Sequence, residues 1–328
     1  LARQADSENY DVHDLVREFL TRSMEDSLSQ SLHANAAEWY RVRKGNPSES
    51  IEYIHHLHMS GDTEGLAEAL SEEGHSLVKA GHIELLGILR VLEASLFGPR
   101  TRFVIHELTG DILSIQGRWD EAEEQYDHAL PIAVKHKLMT PLARIYSSRA
   151  DLAVKKGEMD NALSLHKKAL EMQIKLRDAQ GAARSYNNMG YIFRRQRDNK
   201  RAIEVYGNVE ELLESEDSSD LTEARIRLAS AFLEMGELDR ARDHAMKAHD
   251  ETAENNQEKL HARSRAVLGR YYARIKDNDL AMHHYTGALE ILSDKSDPRS
   301  AVEVEILLGQ VLSDAGNTEE AAQHYMEA

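Results

Sequence analysis

The sequence predicts an all-α chain, a solenoid of stacked helical hairpins. Three observations carry that prediction. A segment of about 40 residues recurs six times along the last two thirds of the chain. Apolar residues elsewhere return with the helical period of about 3.6. No segment sustains the period-two alternation of a half-buried strand, so almost no strand is expected.

Bulk properties narrow the function. The 328 residues include 57 acidic and 40 basic side chains, a formal net charge of −17. That balance argues against a general nucleic-acid or anionic-membrane surface. The absence of cysteine excludes disulfides, zinc–thiolate sites and a cysteine nucleophile, and fits a reducing cytoplasm. There is no apolar run of about 18 residues and no signal peptide. The chain opens on Leu1 and stops at "HYMEA", and both ends are expected to be cuts in a longer protein. A last helix without a polar cap exposes apolar surface, so self-association or fraying is expected there.

The first element is "ENYDVHDLVREFL", Glu8 to Leu20, a short amphipathic helix carrying His13 and Asp14; nothing later resembles it. Two irregular helix–turn–helix pairs follow, with Gly45-Asn46 and Gly81 at turns. From residue 101 the repeat takes over. Ala122, Ala162, Ala202, Ala241, Ala281 and Ala321 recur at steps of 40, 40, 39, 40 and 40. Twelve residues before each stands another small residue: Gly110, Ala150, Gly190, Ala229, Gly269 and Gly309. Four residues after each alanine come Tyr126, His166, Tyr206, Ala245, Tyr285 and Tyr325. Two helices that approach closely need small residues at the contact and a larger side chain one turn on to fill the remaining space. Asn46-Pro47, Thr140-Pro141 and Asp297-Pro298 each predict an N-cap followed by the first helical residue, and Ser218 caps another start. Pro131 falls inside a predicted second helix and should kink it.

These units resemble the tetratricopeptide repeat (TPR) family in a long-helix variant, in register over roughly residues 101–328. The family's tryptophan near the start of the first helix is missing, with His106, Tyr146 and Tyr186 in its place. The resemblance implies a right-handed α-solenoid of TPR-like helical hairpins: irregular ones over 27–100 and six units over 101–328. "YDVHDLVREFL" resembles the end of the winged-helix module in STAND-type signalling ATPases, maltose-regulator-like members included, and residues 1–26 are assigned to that tail. In that family the histidine at the position of His13 reaches the β-phosphate of bound ADP. An imidazole can donate such a bond. The sequence has no G-x-x-x-x-G-K-[ST] cradle, so ATP or ADP and Mg are expected upstream of Leu1 and no cofactor within this chain. The alternative for His13 is a surface histidine on a terminal helix.

No nucleophile–base pair or metal set can be assembled, so no catalysis is expected from this chain. His55 and His58 share a helix face but lack a third ligand in sequence, and no metal site is assigned. What remains is a groove. Offsets −6, −3, −2, +1, +4 and +5 from the small residue of each first helix fall on one stripe, expected to line the concave side. In the second unit these are Arg144, Ser147, Ser148, Asp151, Val154 and Lys155; in the third, Arg184, Asn187, Asn188, Tyr191, Arg194 and Arg195. In the fifth they are Arg263, Ala266, Val267, Arg270, Ala273 and Arg274. Together they hold eight basic residues and one acidic one, against the acidic chain as a whole.

The candidate ligand-binding residues are therefore Arg144, Arg184, Asn187, Asn188, Tyr191, Arg194, Arg263, Arg270 and Arg274. Guanidinium forks suit carboxylate or phosphate, and asparagine can pair with a peptide backbone. The competing expectation is that these arginines pair with acids of the neighbouring helix and only hold the stack together. Two functions stay open: an effector-binding sensor of a STAND-type ATPase, or a freestanding adaptor for an acidic peptide or partner protein.

Overall fold

The computed structural model describes residues 2–3, 10–11, 25–42, 46–92, 94–213, 218–255, 257–292 and 297–328. His13 and nearly all of the winged-helix-like segment lie outside them. Among the described residues the only strands are Ala2–Arg3 and Tyr10–Asp11, paired antiparallel, and sixteen α-helices with one short 3-10 helix, Ala94–Leu96, make up the rest of the fold. The irregular hairpins are α1 (Asp26–Arg41), α2 (Pro47–Ser60), α3 (Thr63–Lys79) and α4 (Leu85–Val91). The six repeats are α5/α6 (Pro99–Ile115, Trp119–Lys135), α7/α8 (Met139–Lys156, Met159–Leu176), α9/α10 (Ala179–Arg195, Asn199–Leu213), α11/α12 (Ser219–Met235, Leu238–Glu254), α13/α14 (Glu258–Arg274, Asn278–Leu292) and α15/α16 (Pro298–Asp314, Thr318–Glu327). This is an all-α repeat fold. No helix of the described residues is long and apolar enough to cross a membrane.

The caps follow the sequence closely. The side chains of Asn46, Ser218 and Asp297 accept backbone N–H bonds from Glu49, Asp220 and Ser300. Thr140 departs from expectation: α7 begins at Met139, which puts Pro141 within the first turn. A proline is tolerated there because the first N–H groups of a helix have no intrahelical partner. Pro131 does not break its helix either; α6 continues through it to Lys135 and forgoes one internal hydrogen bond. Within each repeat the first helix ends on a left-handed residue at one fixed position. Gly117, Gly157, Gly236 and Gly316 fill it in four repeats, whereas Arg197 and Lys276 hold φ of 61° and 65° in the other two.

The chain forms two compact units, 1–148 and 149–328, and the division falls inside α7. In the first unit α1 lies on α2, α3 on α5 and α5 on α6. In the second, each helix contacts the next from α9 to α16, and the first helices also touch one another: α9 meets α11, α11 meets α13 and α13 meets α15. That second set of contacts makes a continuous wall of first helices.

The small residues act as the spacing implies. Ala122, Ala162, Ala202, Ala241 and Ala281 are fully buried. A Cβ placed on Gly110, Gly269 or Gly309 would lie 2.5, 2.6 and 2.7 Å from the ring of Tyr126, Tyr285 and Tyr325, and one on Gly190 would collide with Tyr206. The tyrosine ring of the second helix thus packs directly against the glycine of the first. Where the first helix carries alanine instead, the second carries something smaller: His166 with Ala150, and Ala245 with Ala229. Both of those smaller residues are fully buried.

Candidate ligand-binding groove

Within the second unit, the wall of first helices encloses a concave pocket of about 460 Å³. Helix α9 contributes Tyr191 and Arg194; α11 contributes Arg227 and Ser230; α13 contributes Arg263, Ala266, Val267 and Arg270; α15 contributes Arg299, Ser300 and Glu303. Five guanidinium groups line it against the two carboxylates of Asp297 and Glu303. Ile226, Val267, Leu292, Val304 and Leu307 supply an apolar lining. Tyr191, Arg194, Arg263 and Arg270 were candidates from the helical stripe. Arg299 was not, because it sits a full turn before the stripe begins; its signal was its place just after the Asp297-Pro298 cap.

Polar links join the first helices of successive repeats from α9 to α13. Arg194 donates to Glu234 at 2.5 Å, and Arg270 approaches the same carboxylate at 4.0 Å. Glu223 takes Arg227 from its own helix at 2.5 Å and Arg263 from the next repeat. Burial works against the Glu223 charge, yet Arg227 and Arg263 outweigh it and hold its carboxyl below the ordinary range. Arg227 also donates to the carbonyl oxygen of Asn187 at 3.2 Å and lies over the Tyr191 ring, as does Arg195. The stacking role expected as the competing account of the inner arginines is therefore present. It leaves Arg299 without a hydrogen bond or ion pair among the described residues.

The asparagines divide. Asn187 is 3% exposed and donates to the carbonyl oxygen of Asp220 at 2.8 Å, which puts its side chain in the helix–helix contact rather than on open surface. Asn188 donates to Asp151 at 3.0 Å, and Arg184 lies 3.5 Å from the Asp220 carboxylate. Arg274 is exposed at the end of α13.

Arg144 belongs to the first unit. It grips Glu107 with two hydrogen bonds, of 3.0 and 2.7 Å, and Glu107 is 1% exposed and bonded also to His75 at 2.8 Å. One turn along α5, Asp111 accepts from the Tyr126 hydroxyl at 2.7 Å. Burial, with the Glu107 charge adding to it, pushes the Asp111 carboxyl up to about 6. Among the histidines, His33 of α1 meets His56 of α2 at 2.7 Å.

Residues 141–215 match the tetratricopeptide repeat family model. The match takes in the second and third of the six repeats. No curated protein matches the chain. Among solved structures, the chain is similar to a STAND protein with a tetratricopeptide repeat sensor from Pyrococcus horikoshii, at 15% identity and a TM-score of 0.66. That likeness covers 96% of this chain and 55% of the other, so this chain spans about half of it. It is also similar to a Rap protein complexed with Competence and Sporulation Factor, at 15% identity and a TM-score of 0.61, over 94% of this chain and 93% of that one. BtubC from P. vanneervenii shares 22% identity and a TM-score of 0.55, over 64% of this chain and 88% of its own. At these identities the likeness is one of fold.

Proposed function

We propose that this chain is the non-catalytic TPR sensor of a STAND-type signalling ATPase, cytoplasmic, with its effector or partner held in the second unit's pocket. The pocket carries the proposal. Guanidinium groups from α9, α11, α13 and α15 converge on one concavity that also has apolar walls. Such a lining suits a peptide or small effector with at least one carboxylate or phosphate and an aliphatic portion. The likeness of fold to a STAND protein with a TPR sensor supports the setting, as does the His-Asp segment ahead of the helical hairpins. An effector that prefers one state of the whole protein would then bias an upstream nucleotide switch.

The freestanding adaptor remains the second reading, favoured by the likeness to a Rap protein along 93% of that protein. The full reading frame separates the two: a phosphate-binding G-x-x-x-x-G-K-[ST] ahead of Leu1 supports the sensor, and its absence supports the adaptor. Pocket binding is tested under either reading by selecting ligands from a displayed peptide library. Arg263→Ala with Arg270→Ala should weaken the selected ligands by about tenfold or more, since bonds to charged groups are worth about 1.5–3 kcal/mol. Lys247→Ala, on the outer helix α12, should leave them unchanged. Equal binding by both variants contradicts the pocket as the site.

A further inference from the structure

We propose that Glu305, His324 and Glu327 form a binding site for a divalent transition-metal ion, with Zn²⁺ the best fit. Each offers one ligand atom, and these atoms all lie within 4.8 Å of one another. No other group of three among the described residues does so. The fold explains the convergence. His324 and Glu327 are three residues apart on α16 and share a face, and Glu305 reaches them from the antiparallel neighbour α15. His324 Nδ1 already stands 2.6 Å from Glu305 Oε2. Glu305 and His324 are partly shielded, with side chains 14% and 28% exposed, while Glu327 is open to solvent.

The donor set selects the ion class. One imidazole nitrogen with two carboxylate oxygens is a mixed set that suits zinc and leaves a position for water or another ligand. An all-oxygen site would favour magnesium or calcium; the imidazole turns the preference toward transition metals. With a neutral imidazole the trio carries two negative charges, which a divalent ion neutralises. Glu305 and Glu327 also line an open concavity of about 530 Å³, whose other walls include Leu289, Leu292, Pro298, Ala301 and Val302. An exchangeable position beside an apolar surface is the setting in which a bound ion could meet a further ligand. Coordination through Nδ1 replaces the present hydrogen bond to Glu305. Because the ligands come from two helices, the ion would fasten α16 onto α15.

The test is calorimetric titration of the chelator-treated chain with ZnCl₂, alongside thermal melts. One equivalent of Zn²⁺ should bind and raise the unfolding midpoint. Glu305→Gln, a shape-conserving change, and His324→Ala should each weaken binding by about tenfold or more. His33→Ala with His56→Ala should not, which separates this site from the other histidine contact. Circular dichroism with unchanged helix content shows that each variant folds. Absence of Zn²⁺ binding overturns the proposal, as does binding that survives His324→Ala or follows the loss of His33 and His56. None of these outcomes depends on the arginine-lined pocket.

Discussion

Asp111 holds its proton more tightly in the folded chain than in the unfolded one. Its carboxyl moves from 3.8 to about 6, through burial first and the neighbouring Glu107 charge second. The sign follows from linkage: stability from this group is complete below pH 3.8 and is lost as pH rises through 6. The groups facing it are Glu107 on its own helix, Tyr126 on α6, Ser148 on α7 and His75 on α3. Asp111→Asn removes the titration, so its stability relative to the parent should improve between pH 4 and 7. Denaturant midpoints across that range check it. A second prediction concerns backbone. Lys276 occupies at φ 65° the position that glycine fills in four other repeats. The left-handed conformation costs a side-chain-bearing residue about 1 kcal/mol. Lys276→Gly should therefore raise stability by up to about 1 kcal/mol, read from the same midpoints.

At the scale of the element, the glycine–tyrosine contact sets how closely the two helices of a hairpin approach. Gly190→Ala drives a methyl into the Tyr206 ring and should cost about 1–3 kcal/mol, the usual range for overpacking. In the second repeat the pair is Ala150 with His166, and the exchange should be rescuable. His166→Tyr alone should destabilise, and adding Ala150→Gly should recover much of the loss, a coupling of roughly 0.5–3 kcal/mol in a double-mutant cycle. Additive effects would show that the two positions do not share a contact. His166 is itself fully buried and its imidazole is lowered to about 4 by desolvation, so it is neutral at pH 7.

These elements also show what a sequence conveys. Spacing revealed the repeat, because a helix contact needs a small residue at a fixed interval. Asn46 and Asp297 announced their helices, since a capping side chain acts within three residues. His33 against His56 was hidden, because the contact spans 23 residues between helices of an irregular hairpin. The stripe placed Asn187 on the inner face, but one further turn of packing detail buries it beneath Asp220. The same stripe carries Glu223 and Glu234 in the fourth repeat, so pairing of inner arginines with neighbouring acids was legible as the competing expectation, but not which arginine each acid takes.

At the scale of the molecule, the repeats of the second unit bring their first helices side by side, and polar links from α9 to α13 hold them together. In the second unit this places Arg194, Arg227, Arg263, Arg270 and Arg299 around one pocket within an acidic chain. The claim that this pocket is where the effector or partner sits has one direct test: hydrogen–deuterium exchange of the chain with and without a ligand selected on it. New protection should concentrate in α9, α11, α13 and α15, spare the outer helices α10, α12 and α14, and vanish in the Arg263→Ala, Arg270→Ala variant. Protection centred on the outer helices, or unchanged in that variant, would contradict the account.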